Sequence, residues 1–195
     1  MVADVSLGQA HEAEITLRKA GATPDFWTNI AQSEELAREV VELVMAVVSY
    51  IIATYKVAVD YGQSLAEMIK AGNYDWVNND ITQEHFPVSG QGKQQDIEVA
   101  LFHFNKVMKS DQVIARMRKE GYRPATIAEL LALGVSQPEL QKQFPIIALG
   151  SVWRFPGGGR LVPCLGWLSG ERSLGLGCLG GDWLVGCRFV GLRNA

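Results

Sequence analysis

Cysteine is scarce in this sequence, and the spacings typical of metal sites are missing. Only Cys164, Cys178 and Cys187 occur, without a CxxC pair, and all three histidines lie upstream of them. Because a structural zinc site takes four ligands, usually closely spaced cysteines and histidines, no metal is expected. No motif calls for a cofactor. One disulfide between two of these cysteines stays an alternative if the protein acts outside a cell.

Long apolar runs and an excess of basic charge are also missing. The most apolar run, residues 43–53, lies between Glu42 and Lys56 and is too short to cross a bilayer. A buried helix running into a strand is predicted there, with no transmembrane segment. The N-terminus has no basic region followed by an apolar one, so no secretory signal is expected. The net charge of −3 gives no overall attraction to nucleic acid, and none is expected as a partner.

The last 45 residues, 151–195, differ in composition from the rest of the chain. Lys, Gln, Met, Ile and His are absent there, Glu occurs once, and Gly supplies 11 of the 45. Composition leaves three explanations open: a glycine-rich β region, a frame-shifted C-terminus, or a segment in which many positions were randomised and others held. Randomising the first two bases of AAC or AAT codons yields Gly, Arg, Ser, Cys, Leu, Phe, Val and Asp, but never Glu, Lys, Gln, Met or Trp. The third explanation therefore predicts this bias.

Hydrophobic periodicity predicts an α+β fold. Apolar residues at 3.6-residue spacing predict helices, and alternating ones predict strands. The predicted helices occupy much of 9–55 and then 64–72, 110–120 and 126–134, and the predicted strands occupy 54–61, 96–105 and 144–154, followed by short strands with glycine turns. Because the strands cluster late instead of alternating with helices, a mostly antiparallel sheet is expected behind a helical extension over 1–53.

The predicted helices carry recognisable start and stop signals. Ser33, Ser64 and Thr126 are predicted N-caps, and Glu129 follows Thr126 by three residues, which is a capping box. Gly72 and Gly134 are predicted to end two of the helices. The sequence PGGGR at 156–160 lacks the phosphate-loop pattern and predicts a hairpin turn.

Several stretches near the C-terminus resemble the variable proteins of diversity-generating retroelements. They are ALGSVWR at 148–154, RLVPCL at 160–165, GDW at 181–183 and CRFVGLR at 187–193, together with the helix sequence RPATIAELLALG at 123–134. Such proteins have a C-type lectin-like fold related to that of the formylglycine-generating enzymes. The resemblance implies a lectin-like domain over 54–195 with a variable region at about 151–190.

In these families a reverse transcriptase overwrites adenine positions, and the protein displays the varied side chains to bind a partner. The resemblance implies a scaffold made of Trp153, Arg154, Pro156, Val162, Pro163, Leu165, Leu174, Leu176, Asp182, Trp183, Arg188 and Phe189. It implies variable, ligand-binding positions at Phe155, Gly157, Gly159, Leu161, Cys164, Gly166, Leu168, Ser169, Arg172, Ser173, Gly175, Gly177, Cys178, Gly180, Leu184, Gly186 and Cys187. Trp167 lies among them but cannot arise from such a codon. Binding energy is expected to concentrate in the large members, which are Phe155, Leu161, Leu168, Arg172 and Leu184.

The function expected from this resemblance is binding rather than catalysis. The partner would be a macromolecule, a protein or a cell-surface molecule, and the location a virion or a cell surface. Calcium-dependent sugar binding is not expected, because Trp183 is followed by Leu184 and the WND motif is missing. Two alternatives stay open: an oxidase of the formylglycine-generating type, which needs two cysteines together in a cleft, and a structural oligomeric protein with a fixed glycine-rich tail.

Overall fold

The computed structural model describes residues 11, 14–15, 17–47, 50–88 and 94–194, without the side chains of 41–47 and 94. The chain divides into two compact units, residues 1–49 and 50–195, close to the boundary predicted after residue 53. The predicted junction of helix and strand at residues 48–49 lies outside the described residues.

The described residues of the first unit include the helices α1 (Pro24–Gln32) and α2 (Glu34–Val47), and residues 17–19 before them are also helical. Thr23 caps α1, since its side-chain oxygen accepts a hydrogen bond from the Phe26 N–H at 3.4 Å. Ser33 caps α2 in the same way, with its Oγ 3.1 Å from the Leu36 nitrogen, as predicted. Side-chain oxygens thus satisfy N–H groups that both helices leave unpaired at their starts.

The second unit combines eleven strands with four helices among the described residues. The strands are β1 (Ile51–Asp60), β2 (Trp76–Val77), β3 (Gln94–Phe102), β4 (Met108–Lys109), β5 (Tyr122–Pro124), β6 (Ile146–Ile147), β7 (Trp153–Arg154), β8 (Arg160–Leu168), β9 (Glu171–Cys178), β10 (Asp182–Trp183) and β11 (Arg188–Arg193). The helices are α3 (Leu65–Gly72), α4 (Ser110–Lys119), α5 (Ile127–Ser136) and α6 (Leu140–Gln143).

Most of the strands form one sheet with the order β1-β3-β11-β6-β8-β9-β2. Strand β5 pairs with β11, β7 pairs with β8, and β10 pairs with β4 in a separate ribbon. The pairs β6–β11 and β2–β9 are parallel, and the other pairs are antiparallel. The architecture is a mixed α/β one with a large, mostly antiparallel sheet and several helices, which confirms that part of the prediction.

The two faces of the sheet bury different side chains. The inner face carries Leu101, Leu165 and Leu174 and forms the main core with side chains of α3 and α5. The outer face, reached by the alternate residues, carries Phe102 and Phe189, which pair across β3 and β11. Its aromatic neighbours are Tyr122, Phe104 and Trp183. Alternation along each strand therefore separates two apolar clusters.

Glu129 forms a buried polar anchor at the start of α5. Its carboxylate, 1% exposed, accepts hydrogen bonds from both Arg123 guanidinium nitrogens, at 2.6 and 3.0 Å. The Thr126 N–H donates to it at 2.6 Å and the Tyr61 hydroxyl at 2.9 Å. Burial raises the pKa of Glu129, but these hydrogen bonds outweigh burial and hold the pKa below its usual value. The predicted Thr126–Glu129 pairing is thus confirmed and tied to two other elements.

The strand predicted over 144–154 is wrong in its middle. Only Ile146–Ile147 and Trp153–Arg154 are strands, because Gly150 donates its N–H to the Ala125 carbonyl at 2.8 Å and leaves the sheet. Ser151 then accepts a hydrogen bond from the Ile127 N–H at 2.9 Å. The intervening chain therefore supports the start of α5 instead of extending a strand.

One of the two predicted glycine stops is confirmed. Helix α3 ends at Gly72, and Asn73 follows as its C-cap with the left-handed φ of +48°. The stop predicted at Gly134 is wrong, because α5 runs on to Ser136. A Cβ at Gly72 would overlap the Tyr74 ring, and a Cβ at Gly134 would overlap the Tyr74 hydroxyl. These glycines therefore make room for Tyr74 between the helices.

Candidate ligand-binding surface

Strands β8 and β9 form a hairpin that divides the variable region between the two faces. Leu165 pairs with Leu174 on the inner face, and Cys164 pairs with Gly175 on the outer face. The two-residue turn, Ser169 and Gly170, has φ values of +54° and +89°, as a type I′ turn requires. This register places Leu174 and Leu176 on the inner face and Gly175 and Gly177 on the outer face.

No predicted variable position is buried, and all seventeen lie within the described residues. The exposed ones are Phe155, Gly157, Gly159, Leu168, Ser169, Cys178, Gly180, Leu184 and Gly186. The half-buried ones are Leu161, Cys164, Gly166, Arg172, Ser173, Gly175, Gly177 and Cys187. Half of the twelve scaffold positions are buried, namely Val162, Pro163, Leu165, Leu174, Trp183 and Phe189. The half-buried ones are Trp153, Leu176 and Arg188, and the exposed ones are Arg154, Pro156 and Asp182.

The variable positions form two clusters rather than one site. The turn cluster contains Phe155, Gly157, Gly159, Leu161, Cys178 and Gly180, and it is held together by the pairing of Leu161 with Cys178 and by the Leu179 N–H bonded to the Arg160 carbonyl at 2.8 Å. The outer-face cluster contains Cys164, Gly166, Leu168, Ser173 and Gly175. The 184–187 loop leads into β11, and β11 is connected to the outer-face cluster through β6, which pairs with Cys164 of β8.

Arg172 was expected to contact ligand, but its guanidinium points into the domain. It donates hydrogen bonds to the carbonyls of Gly72 at 2.7 Å and Gly134 at 2.9 Å, and to Gln141 Oε1 at 3.1 Å. The same group lies 5.0 Å from the centre of the Tyr74 ring. Arg172 therefore ties β9 to α3, α5 and α6 and is occupied by those contacts.

Glycines in the variable region differ in the space around them. A Cβ at Gly177 would overlap the six-membered ring of Trp183, whereas nothing lies within 4 Å of one at Gly159, Gly180 or Gly186. The Trp183 indole is fixed because its Nε1 donates to Ser110 Oγ at 2.7 Å. Gly177 is therefore constrained by packing, and the other three are free to carry side chains.

The three cysteines are free thiols. Burial, followed by the charge of Cys187, raises the pKa of Cys164 to about 11, and burial also raises the pKa of Cys187. A reactive thiol needs the opposite shift, since the thiolate is the nucleophile.

Within the described part of the chain, no group of His, Cys, Asp and Glu could hold a metal ion. The helices described there include none long and apolar enough to span a membrane.

Trp76 belongs to this surface but was missed in the sequence, where no strand was predicted between residues 61 and 96. Strand β2 pairs in parallel with β9, which places Trp76 opposite Ser173 on the outer face. A cavity of about 170 Å³ lies between Trp76 and the end of the hairpin, lined by Trp76, Leu168, Ser169, Glu171 and Ser173. The sequence signal that could have indicated β2 was a tryptophan within an otherwise polar stretch.

A second cavity, of about 230 Å³, lies beside the start of α5, between Tyr61, His85 and Ser151. The His85 ring stacks on Trp153 at 4.0 Å, and its Nδ1 lies 2.8 Å from the Asp80 carbonyl oxygen. No cysteine lines this cavity or the one beside Trp76. Neither of these two cavities therefore places a cysteine thiol beside the polar side chains that line it.

Comparison with known proteins gives no family for this chain. No protein-family model matches it. The comparisons with curated proteins and with solved structures likewise found no match. The fold and the surface together define a mixed α/β protein. Its β8–β9 hairpin packs one face in the core and leaves much of the other face accessible.

Proposed function

We propose that this protein is a non-enzymatic binding protein whose residues 151–190 form a retroelement-diversified surface on a C-type lectin-like scaffold. The observation that carries the proposal is the exposure of the variable positions. None of the seventeen is buried, while buried scaffold residues such as Val162, Leu165 and Leu174 alternate with them along the same strands. Most of these positions can vary without loss of the core, and the exceptions are Arg172, which is bonded inside the domain, and Gly177, which packs against Trp183.

Energetics favour such a division of roles. Truncating a buried leucine such as Leu165 or Leu174 costs about 2–5 kcal/mol, a large share of the stability of a single domain. Substitutions at exposed sites away from special features usually change stability by less than about 0.5 kcal/mol. Exposed positions such as Gly180 and Gly186 therefore tolerate random change, whereas Leu165 and Leu174 do not.

The accessible side chains favour a macromolecular ligand. Leu168 and Leu184 are 70% and 71% exposed, and Phe155 is also exposed, so three of the five expected anchor residues face solvent. Arg172 is not among these anchors because its guanidinium is bonded within the domain. Large exposed apolar residues spread over a broad surface suit a protein-sized partner better than a small molecule, which needs an enclosing pocket.

The flanking DNA tests the diversification directly. We expect a near-copy of the sequence encoding 151–193, beside a reverse transcriptase gene and differing mainly at adenines. The adenines should fall in the codons of the seventeen variable positions and spare those of buried scaffold residues such as Leu165 and Leu174. A locus without such a repeat would overturn the diversification and leave the glycine enrichment to another cause.

A further inference from the structure

Trp76 is held firmly although its ring is accessible. The Asp75 N–H donates to the Arg172 carbonyl at 2.9 Å, the Arg172 N–H donates to the Asp75 carboxylate at 2.7 Å, and the Asn78 N–H donates to the Leu174 carbonyl at 3.0 Å. These bonds fix the backbone of β2 against β9 on either side of Trp76. Its side chain is 49% exposed, and its ring passes 3.7 Å from the place where a Cβ on Gly175 would lie.

The residues beside Trp76 form a pocket with one acidic wall. Glu171, Ser173 and Gly175 alternate along the outer face of β9, and Leu168 pairs with Glu171 across the hairpin. Leu168, Ser169, Glu171 and Ser173 close the cavity of about 170 Å³ against the indole. The space thus combines an aromatic surface, a carboxylate, two hydroxyls and an aliphatic side chain.

The pocket lacks the cation that aromatic rings elsewhere in this domain hold. Lys142 Nζ lies 5.1 Å from the centre of the Trp167 ring, and Arg188 lies 4.6 Å from that of Phe144. Among the described residues, no cation lies over Trp76 and no ion pair includes Glu171. An aromatic face beside an unpaired carboxylate is complementary to an ammonium or guanidinium group.

We infer that Trp76 and Glu171 form a constant half-site for a cationic side chain, Arg or Lys, presented by the ligand. Trp76 lies outside the variable segment, and no AAC- or AAT-derived codon gives Glu171. Leu168, Ser169 and Ser173 belong to the variable set, so they would adjust the shape of the pocket around a fixed charge and ring. The inference rests on the proposed function for its role in ligand binding, but the chemistry of the pocket stands apart from diversification.

Saturation-transfer difference NMR on the full chain tests the pocket with two amino-acid probes. N-acetylarginine N-methylamide carries the cation, and N-acetylnorleucine N-methylamide is a neutral probe with an apolar stem. We expect the arginine probe to receive saturation and the norleucine probe to receive much less. Trp76→Ala should abolish the transfer, and Glu171→Gln should weaken binding about two- to fivefold, the effect of losing one exposed charge contact.

Trp167→Ala is the matched control, because Trp167 is 41% exposed on the neighbouring strand but faces the opposite side and has Lys142 over its ring. It should leave binding of the arginine probe unchanged. Equal binding of the norleucine probe, equal losses in the two tryptophan variants, or no effect of Glu171→Gln would each overturn the inference. If Trp76→Ala fails to fold, Glu171→Gln decides, since that exposed side chain can lose its charge without disturbing the core.

The pocket and the diversification can fail separately. Binding of the arginine probe without a template repeat in the DNA would leave the pocket standing and remove the proposed function. A template repeat in the DNA without binding of the arginine probe would support the proposed function and overturn the pocket.

Discussion

Gly177 in β9 and Gly186 before β11 show how one residue type can have opposite roles within the variable region. The Gly177 Cα lies under the Trp183 ring, where no side chain fits, while Gly186 has open space around it. The codon argument assigns both to the variable set and cannot separate them, because it contains no information on packing. Only the position of the Trp183 indole, fixed by Ser110, distinguishes them.

Serine at these two glycines should therefore have different effects. Gly177→Ser forces the Trp183 ring to move and is expected to lower the free energy of unfolding by about 1–3 kcal/mol, as overpacking does. Gly186→Ser, the matched control, should change it by less than about 0.5 kcal/mol. Urea denaturation followed by tryptophan fluorescence measures both. Equal effects would mean that Trp183 does not restrict position 177.

At the scale of the element, sequence patterns predicted helix starts and the hairpin better than the irregular segments. The starts of α2, α3 and α5 were found from Ser33, Ser64 and Thr126, because a cap is a local interaction of a few residues. The hairpin at 156–160 was also predicted, and Phe155 bonds there to the Gly159 carbonyl. The break at Gly150 and the strand at 76–77 were not, since distant backbone groups create both.

The turn between β8 and β9 allows a prediction about its first residue. Ser169 has a φ of +54°, a conformation that costs most residues about 1–2 kcal/mol but suits asparagine. Ser169→Asn should therefore stabilise the protein by about 0.5 kcal/mol, and Ser169→Val should destabilise it by about 1 kcal/mol or more. Asparagine is also the residue that an unaltered AAC or AAT codon encodes.

Thermal unfolding followed by circular dichroism measures these changes. Glu171→Gln serves as a control nearby in the same hairpin, where φ is negative and no large change in stability is expected. A valine variant as stable as the asparagine variant would show that the turn imposes no restriction on position 169.

At the scale of the whole molecule, the fold class was predictable but the strand order was not. Late clustering of strands indicated a mostly antiparallel sheet, and that was confirmed. Strand β11 pairs with β3, β5 and β6, which lie about 90, 70 and 40 residues earlier in the chain, and no local pattern encodes such pairing. The lectin-like scaffold remains a proposal for the same reason, since it concerns how the strands are connected.

The interior position of β11, between β3 and β6, predicts the effect of a truncation. Removing residues 188–195 should unfold the second unit, because β3 and β6 lose the strand between them and Phe189, Val190 and Leu192 leave the core. Near-ultraviolet circular dichroism should lose its aromatic signal. Removing only residues 194–195 is the control and should leave that signal intact. A truncated chain that kept cooperative unfolding would contradict this account of the sheet.

The placement of β11 also links folding to translation. Since the sheet includes a strand that follows the last variable position, Cys187, a ribosome must read every variable codon in frame before the second unit can fold. Under the proposed diversification this condition is met without a separate safeguard: all stop codons end in A or G, so randomising the first two bases of AAC or AAT never creates one. A frameshifted or prematurely ended copy would lack β11, and its second unit would stay unfolded and open to proteolysis.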